Sequence, residues 1–274
     1  MPAGNENRLG TYLKDRRARV DPEAFGFSMS RRRTPGLRRE EVAQRAGVSA
    51  TWYTWLEQGR GGAPSAAVLE RIAQALMLTA AEREHLFLLG LGRPPDIRYS
   101  VSEGVSPRLQ RVLDALELSP AIVKTPTWDV VAWNRAAAAV LTDYGKLAPP
   151  QRNILRLIFC NPRARAAQRD WESVARFVVA AFRGDAVRAG SAQELDALVE
   201  DLCRLSPEFA RMWADNDVQA YGEGTKYLHH PIAGPIGMEF SAFSVDGRPD
   251  LGMVVYTPST PQDAERIRQL IVAS

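Results

Sequence analysis

The chain has 274 residues, 45% hydrophobic and 24% charged, a length that suggests two domains. Its longest apolar runs, such as Phe177–Phe182, are too short to span a bilayer, and "MPAGNENRLG" at the start lacks the apolar core of a signal peptide. Net charge is only +3, but residues 1–60 carry 12 Lys+Arg against 7 Asp+Glu, so the positive charge lies at the N-terminal end, where a polyanion-binding module belongs.

The first predicted helix runs from Leu9 to about Val20. A segment with Pro, Gly and Arg follows, Asp21 to Leu37. "RREEVAQRAG" predicts a short helix stopped by Gly47. Ser49 is placed to cap a second short helix from Ala50 to about Gln58, which Gly59 ends. Ser65 caps the next, in which Val68, Leu69, Ile72, Ala75 and Leu76 make an apolar face at helical spacing. Thr79 and Glu82, three apart, form a capping box, and Gly90 closes that helix. Residues 1–91 thus predict a compact five-helix unit, and residues 92–105, rich in Gly, Pro and Ser, a linker.

Residues 106–274 have a different pattern. Ser106 caps a helix with Pro107 at its first position. Two β-like runs, "PAIVKTP" and "WDVVAWN", flank a turn near Thr127. Helices are expected at Asn134–Leu141, Arg152–Phe159, Asp170 to about Ala189, Ala192–Leu205 and Pro207–Ala214, with Ser191 and Glu194 as a capping box and Ser206-Pro207 as a clean start. After Val218 the pattern turns β-like: "TKYLHHPI", "IGMEFSAFSV", a turn at "DGRPD", then "LGMVVYT". Thr260-Pro261 opens a last helix to about Val272. Strands at both ends with helices between them imply one mixed α+β domain.

Within the first unit, residues 31–60 meet the packing rules of a helix-turn-helix. Ala43 is the small residue at the helix crossing and Gly47, four later, tolerates positive φ in the turn. Val42, Val48, Tyr53 and Leu56 supply the core. Ser49, Ala50, Thr51, Thr54 and Trp55 remain on the outer side of the second helix, which would lie in the major groove of double-stranded DNA. Thr51 and Ala50 suit base edges, including a thymine methyl. Trp55 either packs on DNA sugars or covers the core beside Trp52. Arg31, Arg32 and Arg33 precede the motif. Arg38 and Arg39 start its first helix, where side chains and backbone amides meet a phosphate, and Arg60 follows the recognition helix.

The stretch "GLRREEVAQRAGVSATWYTWLEQGR" resembles the helix-turn-helix of the Xre/Cro family of bacterial transcription regulators. "VAWNRAA", "DWESVARFV", "LSPEFARMW", "HHPIAG" and "LGMVVYTPSTPQDAERI" are similar to the C-terminal domain of its MmyB-like branch. The resemblance implies an all-α, lambda-repressor-like N-terminal domain and an α+β, PAS-like C-terminal domain. It also implies dimeric assembly and an apolar pocket for a fatty-acid-like ligand.

The residues allow such a pocket, because apolar sites carry a few placed polar groups. Trp133, Phe159, Phe177, Tyr227 and Phe240 are its candidate lining, and Arg163, Arg165 and His230 its candidate carboxylate anchors. A domain that only dimerises or binds protein is the alternative. His229 and His230, adjacent on a strand, point to opposite faces and do not suit one metal. No nucleophile elbow, phosphate loop or zinc-ligand spacing is present. Cys160 and Cys203 are expected as reduced thiols. The expected protein is therefore a cytoplasmic homodimeric regulator, without enzymatic activity or cofactor.

Overall fold

A computed structural model describes residues 7–28, 32, 35–60, 62–95, 104–168, 170–189, 192–219 and 222–274, with backbone alone for 186–189 and 192–194. Arg31, Arg33, most of the predicted linker, and the Ser191 and Glu194 capping pair fall outside what it describes. The chain divides into two compact units, Met1–Pro95 and Asp96–Ser274.

The first unit contains α1 (Arg8–Arg19), a single 3-10 turn (Glu23–Phe25), α2 (Arg39–Ala46), α3 (Ala50–Glu57), α4 (Ala66–Ala75) and α5 (Ala80–Leu91). Local chemistry sets the helix ends. Ser49 Oγ accepts from the Trp52 amide at 3.1 Å, Ser65 Oγ from the Val68 amide at 3.3 Å, and Thr79 and Glu82 satisfy each other's backbone amides. Gly47 turns the chain with φ +63°, and the next amide, of Val48, donates back to the Ala43 carbonyl at 3.0 Å. The core joins Leu13, Val42, Ala43, Tyr53, Leu56, Leu69, Ile72 and Leu86. One boundary differs from expectation. The last helix runs through Gly90 and ends at Gly92, which has φ +67°. Gly90 lies against α4 instead: a Cβ there would lie 2.8 Å from Leu69 Cδ1, so the buried Leu69 side chain would have to shift to admit one.

The second unit opens with α6 (Pro107–Asp114), β1 (Ala121–Lys124), β2 (Val130–Trp133) and α7 (Arg135–Val140). Next come α8 (Ile154–Cys160), α9 (Pro162–Ala166), α10 (Trp171–Ala189), α11 (Ala192–Leu205) and α12 (Pro207–Ala214). It closes with β3 (Glu223–His230), β4 (Gly234–Val245), β5 (Arg248–Pro258) and α13 (Pro261–Ala273). The short α9 was not visible in the sequence pattern. α8 begins two residues later than expected because Asn153 is its cap, its Oδ1 accepting from the Leu155 and Arg156 amides. β5 begins already at Arg248, so the turn before it is tighter than "DGRPD" suggests.

The strands form one antiparallel sheet in the order β2-β1-β5-β4-β3. Alternation assigns its faces. Leu228, Ile236, Met238, Phe240, Val254 and Tyr256 point one way and pack with α7 and α13. Ala121, Val123, Ala132 and Leu251 point the other way and bury Leu113 of α6. Helices α8, α10, α11 and α12 make a separate core around Trp128, with Leu155, Phe159, Phe182, Leu202, Phe209 and Met212. Buried Asn134 ties sheet to helices. Its Oδ1 accepts from the Ala121 and Ala137 amides, and its Nδ2 donates to the carbonyls of Leu113, Leu116 and Ser119.

Candidate functional site

The helix-turn-helix presents an outer face on α3. Ser49 and Thr51 are exposed, Ala50 and Thr54 half-buried, and Trp55 is 49% exposed. Thr54 Oγ1 donates to the Ala50 carbonyl at 2.8 Å, so its hydroxyl proton is used within the helix. Trp52 sits against the core, which separates it from Trp55. Arg38 is exposed at the start of α2, where its amide donates to Glu41 Oε2 at 2.6 Å, and Arg60 is exposed after α3. These side chains therefore lie on the two helix ends and the one helix face that a major-groove reader uses.

Arg32, Arg39 and Arg17 are held by carboxylates. Arg32 donates to both oxygens of Glu41, at 3.0 and 2.8 Å, and to the Gly36 and Ser28 carbonyls. Burial raises the Glu41 pKa, but the bonds from Arg32 and the Arg38 amide outweigh it and hold the carboxyl below its ordinary value. Arg39 Nε donates to Glu57 Oε2 at 2.7 Å, and its side chain remains 40% exposed. Arg17 Nε donates to the other Glu57 oxygen at 2.7 Å. Glu57 itself is fully buried, so α1, α2 and α3 meet at one carboxylate. Tyr53, buried beside it, has its phenol pKa pushed up by burial and by the Glu57 charge.

The second unit contains a cavity of about 420 Å³, a volume in the range of small-molecule sites. One wall is the sheet, through Ile122, Lys226, Leu228, His230 and Tyr256. The others come from α7 (Ala138 to Leu141), Tyr144, α8 (Ile154, Leu157, Ile158) and the α9 segment (Arg163, Ala164, Ala167, Gln168). The lining is mostly apolar, with two polar groups that have little to bind. Among the described residues Lys226 Nζ donates only to Gln168 Oε1, at 3.4 Å, and no carboxylate pairs with it. Burial alone lowers its pKa to about 8. The Tyr144 hydroxyl has no hydrogen-bond partner among the described residues, and burial, then the nearby Tyr256, raises its pKa.

His230 is the one member of the expected ligand set that lines this cavity. Its Nδ1 accepts from the Ile232 and Ala233 amides at 3.2 and 3.4 Å. Burial lowers its pKa, partly offset by the Ala139 carbonyl, so the ring is a neutral brace at the rim. Arg163, also considered as an anchor, lies at the exposed edge.

The others lie elsewhere for identifiable reasons. Phe159 packs on Trp171 and Phe209 in the helical core. Phe177 and Phe240 pack on each other between the two cores. Trp133 packs on Tyr144 with the rings tilted by 43°, behind the lining, with Arg152 over its ring. Arg165 pairs with Glu208 at 2.9 Å and covers Trp171. Tyr227 points to the opposite face of the sheet and is 54% exposed. Lys226 was missed, although its signal was present: Lys226, Leu228 and His230 alternate along β3 and share the inward face.

Among the described residues, no helix is long and apolar enough to cross a membrane, and no group of His, Cys, Asp and Glu could hold a metal ion. Comparison with known proteins gives two family matches. A helix-turn-helix domain model matches residues 8–86, and the model described as the MmyB-like transcription regulator ligand binding domain matches residues 105–270. No curated protein matches the chain. The second model covers more than half of the sequence, so the chain belongs to the MmyB-like transcription regulators, with a helix-turn-helix domain for DNA and a ligand-binding domain behind it.

Proposed function

We propose that this protein binds double-stranded DNA in a sequence-specific way as a homodimer, and that its C-terminal unit senses a small apolar acid of fatty-acid type. The observation that carries the ligand is the Lys226 ammonium in an apolar cavity. A half-buried cation with no carboxylate partner among the described residues is unfavourable, and a carboxylate on an apolar chain satisfies both features of the site. The five-stranded antiparallel sheet with helices over a cavity supports the PAS-like reading of this unit. Ser49, Ala50, Thr51, Thr54 and Trp55 supply base-edge and sugar contacts, and Arg38, Arg39 and Arg60 phosphate contacts. The reading places the protein in the cytoplasm, with its DNA.

Tyr227 and Phe243, 54% and 49% exposed on the sheet face away from the cavity, support pairing of two copies there. They equally favour a second reading, in which this unit serves only for dimerisation or protein contact. A ligand acts by binding the DNA-competent arrangement with a different affinity from the other arrangement.

Selection from randomised duplexes tests the DNA part. The expected product is an inverted repeat with half-site centres about 34 Å apart, or a multiple of that. Enrichment of a single unrepeated half-site would refute the dimer, and no enrichment would refute specific DNA binding.

A further inference from the structure

The polar end of the cavity contains a pair that the proposed ligand must disturb. Gln168 Oε1 accepts from Lys226 Nζ at 3.4 Å, beyond the usual range for an N–H···O bond. An amide oxygen is also a neutral acceptor. A carboxylate oxygen in its place would make a shorter, charge-assisted bond of about 2.8 Å. The exchange from amide to carboxylate therefore improves the surroundings of the ammonium.

The backbone around Gln168 makes that exchange a side-chain movement. Residue 168 forms an antiparallel bridge with Leu228, and the His229 amide donates to the Ala167 carbonyl at 2.7 Å. The segment is thus fixed to the edge of β3 while the Gln168 side chain reaches over it. Gln168 also walls a second cavity of about 620 Å³, beside Tyr227, His229, Ser259 and Arg266. That space provides polar groups for the amide once it leaves Lys226.

We propose that Gln168 is the specificity-determining residue of the ligand site: its amide oxygen occupies the position on Lys226 that the carboxylate of an apolar acid takes over, so acids displace it and uncharged analogues do not. This rests on the reading of the cavity as an apolar-acid site. The Tyr144 hydroxyl, which lines the same cavity and has no partner among the described residues, is available to donate to the second carboxylate oxygen.

The test is titration calorimetry on the full chain with decanoic acid and 1-decanol at pH 7. The wild type is expected to prefer the acid at least tenfold. Gln168→Glu puts a permanent carboxylate on Lys226, so acid affinity should fall at least tenfold while decanol binding stays within threefold, which also reports that the cavity is intact. Gln168→Leu removes the competing amide, and acid affinity should rise at least threefold. A wild type that prefers the acid beside a Gln168→Glu variant that keeps the same preference would overturn the role of Gln168 and leave the acid reading standing. An unchanged or weaker acid affinity in Gln168→Leu would do the same. A wild type that binds both probes equally, or neither, would overturn the acid reading and the role of Gln168 with it.

Discussion

Arg39 at the start of α2 and Glu57 at the end of α3 meet at 2.7 Å, and the carboxylate they share with Arg17 has no exposed surface. The pair ties the start of α2 to the end of α3. It also holds the Arg39 guanidinium, still 40% exposed, at the edge where a phosphate would lie. Glu57→Gln leaves Arg17 partly buried without a counter-charge. Removing one partner of such a pair costs about 3 kcal/mol. Urea unfolding followed by circular dichroism should show that loss, and a cost below about 1 kcal/mol would show that the pair is not a structural tie.

Arg38 and Thr51 should separate affinity from specificity. Arg38→Ala is expected to weaken binding to all duplexes alike and to reduce the slope of log K against log salt by about 1. Thr51→Ala is expected to relax preference at one base pair, by about 1 kcal/mol or more, with the salt slope unchanged. Anisotropy titrations at three salt concentrations distinguish these patterns. A Thr51→Ala change that is uniform across sequences would move Thr51 off the base edges.

Acid binding should depend on pH through Lys226, whose pKa burial lowers to about 8. Below that value the ammonium is charged and attracts a carboxylate; above it the free protein holds a neutral amine. Ion pairing raises the pKa in the complex, so affinity for decanoic acid is expected to be constant from pH 6 to 7.5 and to fall as pH rises past 8. The other charged and titratable groups of the cavity are Asp143, held low by Lys146, neutral His230, Arg163, Tyr144 and Tyr256, and none of them is placed to reverse this direction. Affinity that rises between pH 8 and 9.5 would contradict the assignment.

Lys226 should also destabilise the ligand-free fold. Its folded pKa lies below its unfolded value, so between the two the unfolded chain binds more protons and stability rises with pH. At pH 7 the charge is carried in both states and its burial is unfavourable. Lys226→Met is therefore expected to stabilise the free protein at pH 7 by about 2 kcal/mol, with a smaller gain at pH 10. A loss of stability at pH 7 would mean that the ammonium is well solvated.

The sequence shows elements more clearly than it shows the cavity. Caps such as Ser49, Thr79, Ser106 and Thr260 are local, each a side chain meeting an amide three residues on, and they mark the helices with little error. The helix-turn-helix is legible for the same reason, since Ala43, Gly47 and Leu56 act within twenty residues of each other. The cavity is assembled over longer distances. Its sheet wall comes from β1, β3 and β5, and α7, α8 and the α9 segment, far from β3 in sequence, close the other sides. Size and aromaticity pointed to Phe159 and Phe177, but α8, α10 and α12 build their own core around Trp128 and use Phe159 there. A single inward lysine on β3 is the sequence feature that marks the cavity the structure contains, because a charge drawn away from water requires an answer from its surroundings.

The most direct measurement combines both units: anisotropy of a selected operator duplex, titrated with wild type and with Lys226→Met, each with decanoic acid, with 1-decanol and with neither. The expected result is that saturating acid changes the operator affinity of the wild type at least tenfold, that decanol does less, and that Lys226→Met responds to neither. Operator affinity that is the same with and without saturating acid, or an acid response that survives in Lys226→Met, would contradict a DNA-binding regulator controlled through this lysine.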